Sequence, residues 1–205
     1  MDTGVERPDE GTEDDYGPMV TVSGPPGCGA TTIADMLADH LDCQHVSGGD
    51  IVRELAAERD MSLTRFLALA DENDEIDRLV DRRLQSIAKA WGDSGKPFVL
   101  QSRLAGWLAG PDADFRVWLD APTEVRMARK ADETETESEL RVREVAEVGR
   151  FKSYYGIDAT DRRFYDLHIN TARWGPEMTL DVLLAGIESY DSDLDEGPFT
   201  TEVIV

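Results

Sequence analysis

The segment that most constrains this chain is GPPGCGATT at 24–32, placed between the apolar run MVTVS (19–23) and an apolar-periodic stretch from about Thr31 to Leu41. The run reads as a short buried strand and the stretch as a helix, so the glycines fall in a tight strand-to-helix turn. Phosphate-cradling loops follow G-x-x-x-x-G-K-[ST]: glycine lets successive backbone N–H groups turn inward, and the helix N-terminus adds partial positive charge. Gly24, Gly29 and Thr31 fit that spacing, while Ala30 stands where lysine belongs. The expected phosphate contacts run from Gly24 through Pro25, Pro26, Gly27, Cys28, Gly29, Ala30 and Thr31 to Thr32, with the Thr31 hydroxyl offered to Mg²⁺. A glycine turn without a ligand is the alternative. Cys28 is no nucleophile of the C-x5-R kind, because Ala34 occupies the position of the arginine.

Downstream, strands are expected at 44–47 (QHVS), 98–101 (FVLQ), 115–119 (FRVWL) and 165–170 (YDLHIN). Helical segments fall between them: about Ile51–Asp71, Asp74–Trp91, a stretch after Pro122, Glu135–Tyr155, and Pro176 to about Tyr190. Five apolar strands alternating with helices predict an α/β fold with a parallel sheet covered on both faces.

The 205 residues suit one domain. Asp and Glu number 43 against 21 Lys and Arg, for a formal net charge of −22, which argues against nucleic-acid binding because phosphate contacts need excess cation. Only four cations are lysine (Lys89, Lys96, Lys130, Lys152); acid-rich, lysine-poor composition fits a cytosol of very high salt, with an ordinary acidic protein as the alternative. No run approaches the ~18 apolar residues of a membrane span, no secretory signal is readable, and two cysteines fit a reducing compartment. The expectation is a cytoplasmic, monomeric protein without membrane or nucleic-acid partners. Residues 1–18 read as a disordered acidic leader, with Met19 a second candidate initiator, and 191–205 as a frayed acidic tail.

HVSGGDIVRELAAERDMSL (45–63), SRLAGWLAG (102–110), VWLDAP (117–122), YYGID (154–158) and YDLHINTARW (165–174), together with the loop, resemble the archaeal type of cytidylate kinase over about residues 19–190. The resemblance implies a P-loop NTPase fold with NMP-binding helices and a helical lid. It also implies small-molecule nucleotides as partners: phosphoryl transfer from ATP with Mg²⁺ to CMP or dCMP, giving CDP or dCDP. By the same resemblance, Arg53 and Arg103 hold the acceptor phosphate, and Ser47 and Asp50, in the turn before the Arg53 helix, belong to the acceptor site. Arg129, Arg143 and Arg150 stabilise the transferring group, and Asn170 and Thr171 lie near the adenine. Read from the residues alone, Ser47 and Asp50 serve equally as a helix N-cap, and Arg53 as a solvated helix residue. Arg143 and Arg150 serve equally as partners of Glu139, Glu144 and Glu147, and Asn170 and Thr171 as turn residues. The histidines, His40, His45 and His168, read as structural. Three positions depart from the family pattern: Ala30, Gln101 at a strand end where an acid is usual, and Glu133 in KADET (130–134) where an arginine is usual. Each removes or inverts a charge useful in phosphoryl transfer, so a catalytically weak or inactive nucleotide-binding pseudokinase of the same fold stands as the second reading.

Overall fold

Strand β1 (Met19–Ser23) is buried along its whole length, as its uninterrupted apolar run requires of a strand with neighbours on both sides and helices on both faces. The computed structural model describes residues 17–72, 74–130, 136–191, 194, 203 and 205. Most of the 1–18 leader, Glu133 and nearly all of the 191–205 tail lie outside them.

Chain order is β1, α1 (Ala30–Leu41), β2 (Gln44–Ser47), α2 (Gly48–Glu58), α3 (Leu63–Glu72), α4 (Asp74–Ser94), β3 (Phe98–Gln101) and α5 (Ala105–Ala109). Then come β4 (Phe115–Asp120), α6 (Thr123–Arg129), α7 (Glu137–Tyr155), β5 (Leu167–Asn170) and α8 (Pro176–Glu188), with short 3-10 turns at 110–112 and 162–164. All five strands are parallel, in the order β2-β3-β1-β4-β5. The five-stranded sheet is as expected; α5 was not anticipated, because AGWLA is too short to show a period.

Alternation along each strand splits the interior in two. Phe98 and Leu100 of β3 join Ile51, Phe66, Leu84 and Leu104 under α2, α4 and α5, whereas Val99 joins Val20, Val22, Leu37, Val117 and Leu183 under α1 and α8. The chain leaves β1 for β2 and β3 on one side and returns to β4 and β5 on the other. That reversal opens a crevice at the carboxyl end of β1, where α/β sheets bind ligands.

The tail corrects one expectation. Val203 is buried in the cluster beneath α4, Val205 packs against the same cluster, and the Gln85 side-chain amide donates to the Val203 carbonyl at 2.5 Å. Apolar burial outweighs the fraying that an acidic terminus suggests. Val203→Ala is expected to lower stability by about 1–3 kcal/mol, read as a melting temperature several degrees lower; an unchanged melt would mean that this segment contributes nothing.

A candidate nucleotide site at the carboxyl end of the sheet

The glycine loop sits in the crevice. Gly27 has φ 77° and Gly29 φ 93°, in the left-handed region that glycine occupies without strain. A side chain at Gly24 would run into the Leu119 carbonyl and Cys28 Sγ, and one at Gly27 would come within 2.6 Å of the Arg126 carbonyl. Gly29 caps α1 without any side-chain hydrogen bond, so the first turn of that helix faces the crevice without an internal acceptor from a side chain. Burial pushes the Cys28 thiol above its ordinary value, which suits a small packing residue.

Around the loop lies a cavity of about 510 Å³, lined by residues 24–33 and by Gln101, Arg103, Arg129, Thr171, Trp174, Pro176 and Thr179. Among the described residues its charged lining is two arginines and no acid, in a chain of net charge −22. Trp174, 41% exposed, escaped the sequence reading; an aromatic so soon after the last strand was its one signal. Thr31 Oγ donates to Gln101 Oε1 at 3.5 Å, bringing two neutral oxygens together where the loop meets β3. Such donors suit a hard cation that keeps much of its water and is held chiefly by substrate phosphates.

Arg129 is pinned to the protein. Its Nη1 donates to the Gly27 and Cys28 carbonyls at 3.3 Å each and to Thr171 Oγ at 2.9 Å, while Nη2 reaches the Thr171 carbonyl at 2.9 Å. Thr171 is buried and ties the β5 end to the loop through the Cys28 carbonyl at 2.7 Å. Asn170 lies elsewhere: it caps its own turn through the Ala172 N–H and lines a separate cavity with Trp118, Asp120 and Arg162.

Arg126, three residues before Arg129, is a buried brace. It donates to the Pro26 and Ala121 carbonyls at 3.0 Å each and forms a bidentate ion pair with Glu144 of α7. Removing one member of a buried pair strands the other charge, so Arg126→Ala is expected to cost about 3–5 kcal/mol in denaturant unfolding.

A second cavity of about 280 Å³ opens beside the first, between α2, α4 and α7. Gln101 and Arg103 line both. Ser47 and Asp50 form a reciprocal capping box at its edge, Ser47 Oγ accepting from the Asp50 N–H at 3.0 Å and Asp50 from the Ser47 N–H at 2.9 Å. Asp50 also holds Arg53 at 2.5 Å; its carboxyl, raised by burial but lowered further by Ser47 and Arg53, ends below the usual range. The Arg53 guanidinium lies over Gly49, at the rim.

Helix α7, itself started by a Thr136–Glu139 capping box, carries the remaining arginines. Arg141 pairs along the helix with Glu137 at 2.7 Å, but three other ion pairs run off it: Glu144 to Arg126, Glu147 to Arg103 at 3.3 Å, Arg150 to Asp77 of α4 at 3.6 Å. The charges of Arg103, Arg150 and Arg143 all act on Glu147, whose carboxyl is nonetheless raised by burial. Arg143 and Arg150 are thereby gathered beside Arg103 on the second cavity's side, and neither lines the loop cavity. His45 and His168 make structural contacts, to Asp35 Oδ1 at 2.8 Å and the Arg162 carbonyl at 2.7 Å.

Asp81, on the wall of the second cavity, accepts from Tyr155 Oη at 2.9 Å, and burial pushes its carboxyl up to about 6. A raised carboxylate favours the folded state when protonated. Its contribution is therefore intact below pH ~3.8 and lost as pH climbs through 6. Asp81→Asn is expected to raise stability at pH 7.5 and to leave it nearly unchanged at pH 4, as measured by paired denaturant titrations.

Residues 20–150, from β1 into α7, match the AAA domain family. The cytidylate kinase of Halobacterium salinarum is 47% identical over 189 residues, covering 90% of this chain and 96% of its own. That of Halorubrum lacusprofundi is 50% identical over 184 residues, covering 87% and 94%. Among solved structures, shikimate kinase from Bacteroides thetaiotaomicron superposes with a TM-score of 0.55 at 14% identity, covering 83% of this chain and 98% of its own, a likeness of fold alone. Likeness this high, sustained from the central strand to the last helix, means that the chain belongs to the cytidylate kinase family, within the AAA domain grouping of P-loop proteins.

Proposed function

We propose that this protein transfers the γ-phosphoryl group of ATP, with Mg²⁺, to CMP or dCMP. The observation that carries the reading is the pair of abutting cavities: one wraps the glycine loop with a lining of two cations, the other lies under α2 and α4, and Gln101 and Arg103 line both. Two anionic substrates seated there meet end to end, the arrangement that in-line transfer demands.

The donor triphosphate takes loop N–H groups between Gly27 and Thr32 (Pro25 and Pro26 have none), with Arg129 and Thr171 holding the loop's outer edge and Trp174 offering a flat apolar wall to the adenine. Thr31 and Gln101 would hold the magnesium ion, which when bound neutralises charge on the phosphates. The acceptor phosphate takes Arg53 and Arg103, in a cavity started by the Ser47–Asp50 box. Arg143 and Arg150 support the acceptor side rather than the loop. No general base is required, because the acceptor phosphate oxygen is already ionised. Positioning and fixed charge supply the rate.

The pseudokinase reading rests on Ala30, Gln101 and Glu133. Against it stand the cationic lining of the loop cavity and the intact second cavity, together with close relatives named cytidylate kinase. Formation of CDP from MgATP and CMP in multimolar KCl, followed by chromatography, is expected. A folded sample that forms none would remove the enzyme reading. Arg53→Ala is expected to raise KM for CMP by about tenfold, the scale of one charge-assisted contact, while KM for ATP stays unchanged.

A further inference from the structure

The loop lacks the ammonium that ordinarily meets the β- and γ-phosphates, and the cavity shows what could stand in. Its charged lining residues among those described are Arg129 and Arg103. Arg129 is committed elsewhere: both of its terminal nitrogens donate to the protein, to the Gly27, Cys28 and Thr171 carbonyls and the Thr171 hydroxyl. Arg103 is placed differently. It follows the end of β3, lines both cavities, and sits near enough to the loop for its charge to reach the Cys28 thiol. Glu147 of α7 holds it at 3.3 Å without enclosing it, since 29% of the arginine side chain stays exposed.

We infer that Arg103, besides gripping the acceptor phosphate, supplies to the transferring γ-phosphoryl group the positive charge that the loop lost at Ala30. This rests on the phosphoryl-transfer reading above. As the bond between the γ-phosphorus and the bridging oxygen of ATP breaks and the bond to the acceptor oxygen forms, the electron pair stays on ADP and no proton need move. The charge that must be met lies on the equatorial oxygens between the cavities, where the Arg103 fork can face them. Arginine on the acceptor side then does for the reacting phosphoryl what lysine on the loop does elsewhere, and Ala30 ceases to be a defect.

The idea predicts that the two positions substitute for each other. Arg103→Ala is expected to lower kcat by about 10²-fold or more, the usual cost of one preorganised donor. Ala30→Lys should recover about tenfold or more in the Arg103→Ala background and gain several-fold less in the wild type, because residues serving one charge are not additive. The same lysine should not repair Arg53→Ala. An equal effect of Ala30→Lys in the wild-type and Arg103→Ala backgrounds, or no recovery, would overturn the inference and leave Arg103 an acceptor-holding residue only.

A second readout needs no turnover. By calorimetry, Arg103→Ala should weaken a magnesium-bound, non-hydrolysable ATP analogue by about tenfold more than MgADP, since only the former presents a γ-phosphate; equal losses would refute the assignment. Arg103→Gln replaces the alanine variant if circular dichroism shows the latter unfolded. A wild type that binds the analogue but forms no CDP would remove the kinase reading, and the affinity comparison would still judge Arg103.

Discussion

The whole site depends on one local constraint, the tight passage from β1 into α1. The backbone there turns through two left-handed glycines and comes so close to β4 and α6 that side chains at Gly24 or Gly27 would collide with carbonyl oxygens. Such a loop exposes its amides only if something holds it open, and Arg126 does so, tying the Pro26 carbonyl to the α6 entry and, through Glu144, to α7. The glycine loop and helix α7 are thus parts of one buried network, which is why an interior charge pair is tolerated at this position.

Electrostatics divide the molecule by location rather than by composition. Acidic residues outnumber basic ones about two to one overall, yet the described charges lining the loop cavity are both positive. Acidity on the solvated surface is screened within a few ångströms in strong salt, whereas partly buried arginines keep their field. Around the second cavity the balance is finer. Arg103, Arg143 and Arg150 act on Glu147, and burial raises the Asp81 carboxyl to about 6, so that pocket gives up some stability above that pH for the sake of its polar groups.

Much was legible from residues 19–190 read as a string. The strand cores, the loop and the helix spans of α1, α4 and α8 follow from period and from glycine stereochemistry, and the structure differs mainly at ends: YDLHIN starts its strand at Leu167, and α4 runs on to Ser94. The capping role of Ser47 and Asp50 was equally readable, being a four-residue motif. The side chains that reach across the fold were harder. Asn170 faces away from the loop cavity, Trp174 faces into it, and Val203 returns from the far terminus to fill the core under α4.

By itself the sequence determined the phosphate loop, its missing lysine, the alternation that makes a parallel sheet, and the family, because each is written in neighbouring residues whose torsions and periods act locally. Tertiary structure alone decided that Arg126 is a brace while Arg129, one turn away, edges the loop. It also decided that Glu144 and Glu147 pair off their own helix and that Arg103 stands where two cavities meet. Those outcomes depend on which way each crossover turns and how far apart the helix axes settle. A long side chain then finds its partner by distance in space, where separation along the chain carries no information.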